Sequence, residues 1–575
     1  MEWSLCSKDI PPSSPQGQPD HLRLPAYGRR RMAEHRLYPG LKTNNMRGNY
    51  EYGDFSFDDA GLDVKQGAHI LGHEVHQYLR KYAENFDIYD QIRFEVEVIT
   101  AEHLSEGRGW LLSTRTVGGH DPEKQVLARK LIVATGLTSD AFVPDLAGSQ
   151  TRGAPSIIHV KDFQAHSREL FNRTKRASVL GGTKSAWDVC YAFASSGTPV
   201  DWVIRKSGHG PVWMSPAFAN KKKGVLMEHL VHTRLSSFFS PCVWGEEDSY
   251  SWIRRFLHNT RLGRWCVRRF WQYRQSSLVR TNAYDEHEEV GKLKPWVDMF
   301  WIAGSLSILN YQTNFFDLVR DGMIRVHIAD ISALEENRIR LSNGTVVPSD
   351  TLICSTGWRH RPAIQFLPDG IDSVIGIPHA GLNADTSLVT RADAELMKRF
   401  PALRNQPRLN PHYAPMEGAR PSESLAEPYR LYRFVIPPAL YNERTLAFAG
   451  IVQSISTVYI AMAQGLWITA YFDGHDSTAL AKCKDEKERE EKITWQTMLH
   501  TQYGKWRCPG GYGSRFPDFV YDGMPYLDLL LRDLGLKNKR KGGAWSELSK
   551  PYLTSDYAAI VDEWKAKAAR GYKTF

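Results

Sequence analysis

The chain has few cysteines: seven in 575 residues, no two of them in a C-x-x-C spacing. That excludes a dithiol redox centre and a zinc knuckle, and it suits a reducing compartment. A dense Lys/Arg tract is also missing. The formal net charge of +9 is small for this length and fits phosphate-bearing ligands without calling for nucleic acid. The opening residues lack the apolar core of a signal peptide, and no internal repeat of solenoid period is present. One uncharged stretch, 445–472, is long enough to cross a bilayer, but Gln453, Ser454, Ser456, Thr457 and Gln464 interrupt it. A buried strand followed by a helix is expected there. These absences point to a cytoplasmic protein without membrane association. Residues 1–32 are rich in Pro, Ser and Gln and turn basic at Arg29-Arg30-Arg31. They offer no apolar strand followed by a glycine turn, and read as a flexible lead segment.

The most ordered message lies in 176–206, RASVLGGTKSAWDVCYAFASSGTPVDWVIRK. An apolar strand ends at Val179-Leu180 and runs into Gly181-Gly182. Apolar residues then recur at Ala186, Val189, Cys190 and Phe193, one face of a helix. Ser196-Gly197 stops it, and a second apolar strand runs over 200–204. The fingerprint G-x-G-x-x-G/A maps to Gly181, Thr183 and Ala186, with a threonine Cβ where the backbone approaches phosphates. Gly181, Gly182, Thr183, Lys184 and Ser185 are thus the candidate pyrophosphate cradle. An NAD site wants a carboxylate at the end of the second strand; Arg205 and Lys206 stand there instead, and suit the 2′-phosphate of NADP(H). The alternative is an ordinary βαβ crossover with basic residues at its surface.

Around this unit the pattern is α/β. A helix is expected over 73–86 and strands over 93–99, 109–116 and 126–133, the last closing on Ala134-Thr135-Gly136. A second apolar strand closes on Thr356-Gly357-Trp358. The two endings flank the fingerprint as paired crossings between two nucleotide-binding domains would. Residues 211–297 interrupt the middle domain with helical, Arg- and Trp-rich stretches. These read as a cap of helices over an apolar pocket, with a single-stranded nucleic-acid face or a membrane-surface face as the alternatives. Residues 307–331 and 338–347 return to the α/β pattern. After an irregular, Pro-rich run, a strand over 446–452 precedes a helix from Thr457. The run 482–492 is a solvated helix face.

The order and spacing of several stretches resemble the flavin-containing monooxygenases, in particular their fungal branch: YPGLKTNN, the Ala134-Thr135-Gly136 ending, VLGGTKSAWD, LNYQTNFFDLVRDG, LICSTGW and FVYDGMPYLDLLLRDLGL. The resemblance implies two Rossmann-like dinucleotide-binding domains, the NADPH domain inserted in the FAD domain. It places FAD-domain sequence at 33–165 and 351–475, the NADPH domain at 166–350 with its helical insertion at 211–297, and a C-terminal extension at 476–575. FAD and NADPH are the implied cofactors. A small organic molecule and O2 are the implied substrates, within fungal secondary metabolism. Asn44 matches the asparagine beside the reactive edge of the flavin; read alone, it is a turn residue after Pro39-Gly40. Thr43, Gly136, Gly357, Gly450 and Gln453 complete the implied cofactor contacts, with Gly450 and the helix start near Ser456 against the flavin ring.

Two departures from the family pattern stand out. In its F-x-G-x-x-x-H motif, His159 and the following Phe163 fit, while Gly153 and Pro155 replace Phe and Gly. Phe163 in place of Trp leans away from Baeyer–Villiger members, and His159 reads equally as an interdomain histidine. The family's opening strand and glycine turn for FAD are also not found in 1–32. Low FAD content and aggregation of the chain as written are therefore expected, with a catalytically impaired NADP-binding or scaffold protein as the alternative function.

Overall fold

The computed structural model describes residues 37–569 apart from 39, 106, 120–121, 221–223, 302–305, 380–384, 409, 417–426, 511–512 and 514–515. The lead segment expected over 1–32 lies outside the described residues. Five parallel strands form the sheet of the inserted domain, in the order Ile324–Ile328, Val200–Ile204, Ala177–Leu180, Thr351–Cys354, Ser156–His159. Every residue of the three middle strands is buried, as a parallel sheet covered on both faces requires. Alternate side chains part company across it. Ala177, Val179, Trp202 and Ile204 join the core formed with helix Lys184–Ser195, through its buried Trp187, Val189 and Phe193. Leu180, Val203, Leu352 and Cys354 face a small antiparallel meander of Ile331–Glu335, Arg338–Leu341 and Val346–Pro348. Each fully buried large apolar side chain contributes roughly 1.5–3 kcal/mol.

The other domain is built from a meander of Val96–Leu104, Gly109–Thr116 and Lys124–Ala128. Gln365–Leu367 runs parallel along its edge. A separate parallel pair joins Leu131–Val133 to Leu446–Phe448. The single strand expected over 126–133 is therefore two strands in different sheets. They part at Arg129-Lys130, where the backbone of Ala128 and Arg129 presses on Gly109 so closely that a Cβ would meet the Ala128 oxygen at 2.3 Å. The strand expected over 446–452 stops at Phe448 because Gly450 turns the chain at φ +72°. Helix Thr457–Phe472 follows, buried from Val458 to Tyr471 with no polar stripe. Among the described residues no helix is long and apolar enough to cross a membrane.

The two strand endings singled out in the sequence do cross. Past Gly136 and Gly357, Asp140–Ala141 pairs antiparallel with Trp358–Arg359. The insertion forms helices Met227–Val231, Arg234–Ser237, Ser251–Asn259, Arg261–Thr281 and Glu288–Gly291. C-terminal helices Glu486–Arg507 and Gly523–Asp533 pack into the FAD-domain core. Cap and tail are riveted by Arg234, whose guanidinium pairs with Asp528 and lies 2.8 Å from Glu547, with all three side chains buried. A buried pair of this kind roughly breaks even while intact, but removing one partner costs about 3–5 kcal/mol.

Three histidines, His232, His258 and His500, are buried without charge. Burial pushes the first two down to about 3 and the third well below its usual value. Between the unfolded value of 6.5 and about 3 the unfolded chain binds protons that the folded chain refuses. Stability is therefore complete above pH 6.5 and falls below it, by about 1.4 kcal/mol per pH unit for each histidine. Thermal unfolding followed from pH 8 to pH 5 should be level at first and then drop steeply; a level profile throughout would remove the buried-neutral assignment.

Candidate functional site

The site is framed by a short strand, Lys42–Met46, paired antiparallel with His69–Leu71. Thr43 is buried and accepts the Ile70 amide on its hydroxyl at 3.1 Å. Asn44 points the other way and is exposed, its amide nitrogen donating to Ser307 Oγ at 3.2 Å. Asn45 turns inward again. One two-residue alternation thus puts Asn44 alone on the open face.

Asn45, Met46 and Asn49 are held from outside the domain. Glu228, on cap helix Met227–Val231, accepts the Met46 amide at 3.1 Å and Asn49 Nδ2 at 2.8 Å on one oxygen, and Asn45 Nδ2 at 2.9 Å on the other. Burial pushes this carboxyl above its usual range, and the three donors pull it partly back. Asn45 also donates to the Ile455 carbonyl at 2.9 Å. His232, at the end of the same cap helix, meets Ser456 Oγ at 2.9 Å. One short helix therefore grips both the strand carrying Asn44 and the start of helix Thr457–Phe472.

The glycines expected at the cofactors lie at strand carboxyl ends, where ligands of open α/β sheets bind. Gly136 (φ +64°) and Gly450 (φ +72°) follow the ends of the parallel pair that joins Val133 to Phe448. Gly357 (φ +93°) and Gly181 (φ +138°) follow the neighbouring ends of Cys354 and Leu180. A Cβ on Gly181 would come within 2.4 Å of the Ser355 oxygen, and one on Gly182 within 2.6 Å of the Gly210 oxygen. Both glycines are thus demanded by backbone contact as well as by any ligand. Thr183 is the exposed N-cap of helix Lys184–Ser195, with no side-chain cap bond, and Ser185 stands in the first turn.

Lys184 turns away from that helix end. Its ammonium pairs with Asp188 and donates to Asn310 Oδ1 at 2.9 Å and Tyr311 Oη at 3.1 Å. Burial lowers its pKa, against the pull of Asp188. Asn310 in turn donates to the carbonyls of Lys42 at 3.3 Å and Thr43 at 3.1 Å. Arg205 closes strand Val200–Ile204 and donates to the Ala414 carbonyl at 2.8 Å; Lys206 beside it is exposed. Gln453 pairs through its backbone with 517–519. His159 lies between domains, meeting the Gly357 carbonyl at 3.1 Å and the Trp358 ring edge-on at 5.1 Å.

The structure therefore joins Thr43, Asn44 and Lys184 through Asn310, and ties that group to the segment after Gly450 through Asn45. Arg205 and Lys206 stand apart, with the fingerprint glycines between. Sequence reading missed Glu228, His232, Asn45, Asn310 and Asp188. Only Asn45 carried a local signal, its place in the Asn-Asn pair.

The flavin end of FAD fits these residues. Gly136 and Gly357 open onto space that no atom within 4 Å would contest. Helix Thr457–Phe472 starts without an acidic residue in its first turn, so its amide end favours negative charge. Two strand-end crevices on either side of a linker crossing define a two-domain dinucleotide-binding protein. Residues 64–223 match the family described as L-lysine 6-monooxygenase/L-ornithine 5-monooxygenase. An FAD-dependent monooxygenase of Pyrenophora dematioidea is 30% identical over 90% of this chain and 92% of its own. The FAD-dependent monooxygenase rstn6 of Aspergillus nomiae is 29% identical over 94% of this chain and 92% of its own. The polycyclic ketone monooxygenase of Thermothelomyces thermophila shares the fold, with a TM-score of 0.55 at 14% identity over 98% of this chain and 90% of its own. The chain belongs to the FAD-dependent monooxygenases.

Glu228→Gln places an amide donor opposite partners that are all donors. A loss of about 1–3 kcal/mol in unfolding free energy is expected, read as an earlier urea midpoint, while Glu84→Gln, which breaks only the exposed pair with Arg80, costs about 0.5 kcal/mol or less.

Proposed function

We propose that this enzyme uses NADPH and O2 to place one oxygen atom on a small organic substrate, as a step in fungal secondary metabolism. The observation that carries the reading is the placement of Asn44, the one exposed residue of its strand, bonded to Ser307 and next to Asn45, which ties the strand to the Ile455 carbonyl just ahead of helix Thr457–Phe472. Bound FAD, once reduced, supplies the activation of dioxygen. The chain's own residues do the rest. Ser307 holds the Asn44 amide by its oxygen, leaving a neutral donor and acceptor that orients a bound oxygen species without protonating it early. The cap and the irregular loops exclude water and shape the substrate pocket.

For the reductant, Gly181, Gly182, Thr183 and Ser185 form the pyrophosphate cradle at an open helix end, and Arg205 takes the 2′-phosphate. A phosphate there offers the guanidinium a charge-assisted bond in place of the neutral Ala414 carbonyl. NADPH should therefore bind more tightly than NADH by about 1.5–3 kcal/mol, and Arg205→Ala should erase most of the difference in a fluorescence titration. Unchanged NADPH affinity in that variant would remove Arg205 from the site.

Asn44→Ala should leave reduction by NADPH intact in a stopped-flow trace. Hydrogen peroxide should appear in place of product. Because Ser307 orients the amide, Ser307→Ala should shift the same ratio in the same direction, but less. Full coupling in both variants would place the oxygen-handling group elsewhere.

A further inference from the structure

We propose that the outward face of the cap hairpin formed by helices Ser251–Asn259 and Arg261–Thr281 docks on an anionic lipid bilayer. The hairpin is a fixed object. Its corner, Thr260, accepts the Gly263 amide on its hydroxyl at 2.9 Å, and a Cβ on Gly263 would come within 2.0 Å of the Phe256 oxygen. Its inner face is spent on the domain core, through Leu257, Val267, Trp271 and Leu278.

The outer face is apolar where water should be. Trp252 is 70% exposed, Leu262 61%, Trp265 53% and Phe256 43%. Trp252 and Phe256 are four residues apart, and Leu262 and Trp265 three apart, so each pair shares a helix face. Phe256 stands one turn before the Thr260 corner and Leu262 just after it, with Trp252 and Trp265 about a further turn out along their helices. Other exposed large apolar side chains, such as Phe94, Leu127, Val143 and Trp545, are scattered along the chain and call for no partner.

Charge decides the occupant. Residues 251–281 hold eight arginines and no Asp or Glu. Arg254 is used internally, against the buried Asp248, and Arg264 folds back on the carbonyls of His258 and Asn259. Arg255, Arg261, Arg268, Arg269 and Arg280 are exposed, and the Arg269 guanidinium lies over the Trp265 ring at 5.8 Å. Exposed Trp, Phe and Leu side chains on one helical hairpin, interleaved with exposed arginines and no acidic residue, match a surface that is apolar within and negative at its headgroups. A single-stranded nucleic acid would want a groove with stacking rings alone, and Leu262 offers no stack. No spanning helix is needed for such attachment, so the expectation of no membrane association gives way to a peripheral one.

The test uses the full chain with FAD added, freed of aggregate by gel filtration, and vesicles of phosphatidylcholine, with or without roughly 30% phosphatidylserine. Co-sedimentation should be seen with the anionic vesicles and weaken several-fold when salt rises from about 0.1 to about 0.5 M. Trp252→Glu with Trp265→Glu should weaken it about tenfold or more without moving the flavin spectrum or the thermal midpoint. Arg261→Gln with Arg268→Gln, which leaves the apolar tips in place, should weaken binding to anionic vesicles only. Equal binding to neutral vesicles, binding to neither, or binding indifferent to both variants would overturn the proposal. So would a dimer that is lost in the tryptophan variant while lipid is ignored, or tighter binding to a single-stranded oligonucleotide.

Discussion

The carboxylate of Glu228 is the interaction on which the geometry of the candidate site rests. The strand carrying Asn44 belongs to a two-stranded ribbon with an irregular register, and such a ribbon is marginal by itself in water. Its conformation is fixed from the side, by one buried acceptor that takes two side-chain amides and one backbone amide from five consecutive residues. Burying the charge is costly, as the raised pKa records. The cost is tolerable only while all three donors stay in place. The same cap helix holds Ser456 through His232, so the opposite wall of the site is set by the same element. Tyr459 extends the arrangement to the tail, donating to Asn49 Oδ1 at 2.8 Å and to the Tyr552 carbonyl at 3.2 Å. Cap, tail and flavin-side strand are one polar network, and the helical insertion is part of the site's frame.

The second constraint is backbone crowding at the strand ends of the inserted domain. Leu180 and Cys354 are direct neighbours in the sheet, and each strand must turn away within three residues. Gly181 accepts this by approaching Ser355 more closely than any side chain would permit. The space left at the helix start is then lined by amides and the exposed Thr183. The lysine that follows takes no part in it. Its charge is matched internally by Asp188, whose other oxygen accepts the Tyr38 hydroxyl at 3.1 Å. The positive character at this helix end comes from the helix itself, with Arg205 following the carboxyl end of the neighbouring parallel strand, on the same edge of the sheet.

What the sequence made legible is local. The helix expected from Ser185 runs Lys184–Ser195, and the strand expected over 200–204 is Val200–Ile204, because glycine turns bracket both and their apolar periods are unambiguous. The crossing of the two Thr-Gly endings was also legible, since each strand closes on a glycine that must adopt positive φ. The break at Arg129-Lys130 was hidden inside one continuous apolar-looking run, and only the partner strands reveal it. Glu228 was invisible for a different reason: its partners lie about 180 residues away, and nothing in MEHLVH distinguishes a carboxylate turned inward from one in solvent. The cap posed the same difficulty in reverse. Its aromatic-rich helices were expected to close a pocket; Trp271 and Leu257 pack into the core of the inserted domain, and periodicity could not say that Trp252 and Trp265 face outward.

Asn310 converts these separate frames into one. Its side-chain oxygen accepts from Lys184 on the fingerprint helix, and its nitrogen donates to two successive carbonyls of the strand that carries Asn44. Three residues earlier on the same segment, Ser307 holds the Asn44 side chain. The segment from Ser307 to Asn310 thus touches the candidate oxygen-handling residue at one end and the candidate cradle at the other. Any rotation of the inserted sheet against strand Lys42–Met46 must either carry this segment along, moving Asn44 with it, or break a charge-assisted bond to a buried lysine. The second course strands Lys184 with Asp188 and Tyr311 alone in a site already costly to its charge. The first leaves every buried partner satisfied. The arrangement of donors therefore favours Asn44 and the fingerprint helix moving as a unit, so that the spacing between the two crevices is set by the chain and not by whichever ligand arrives first.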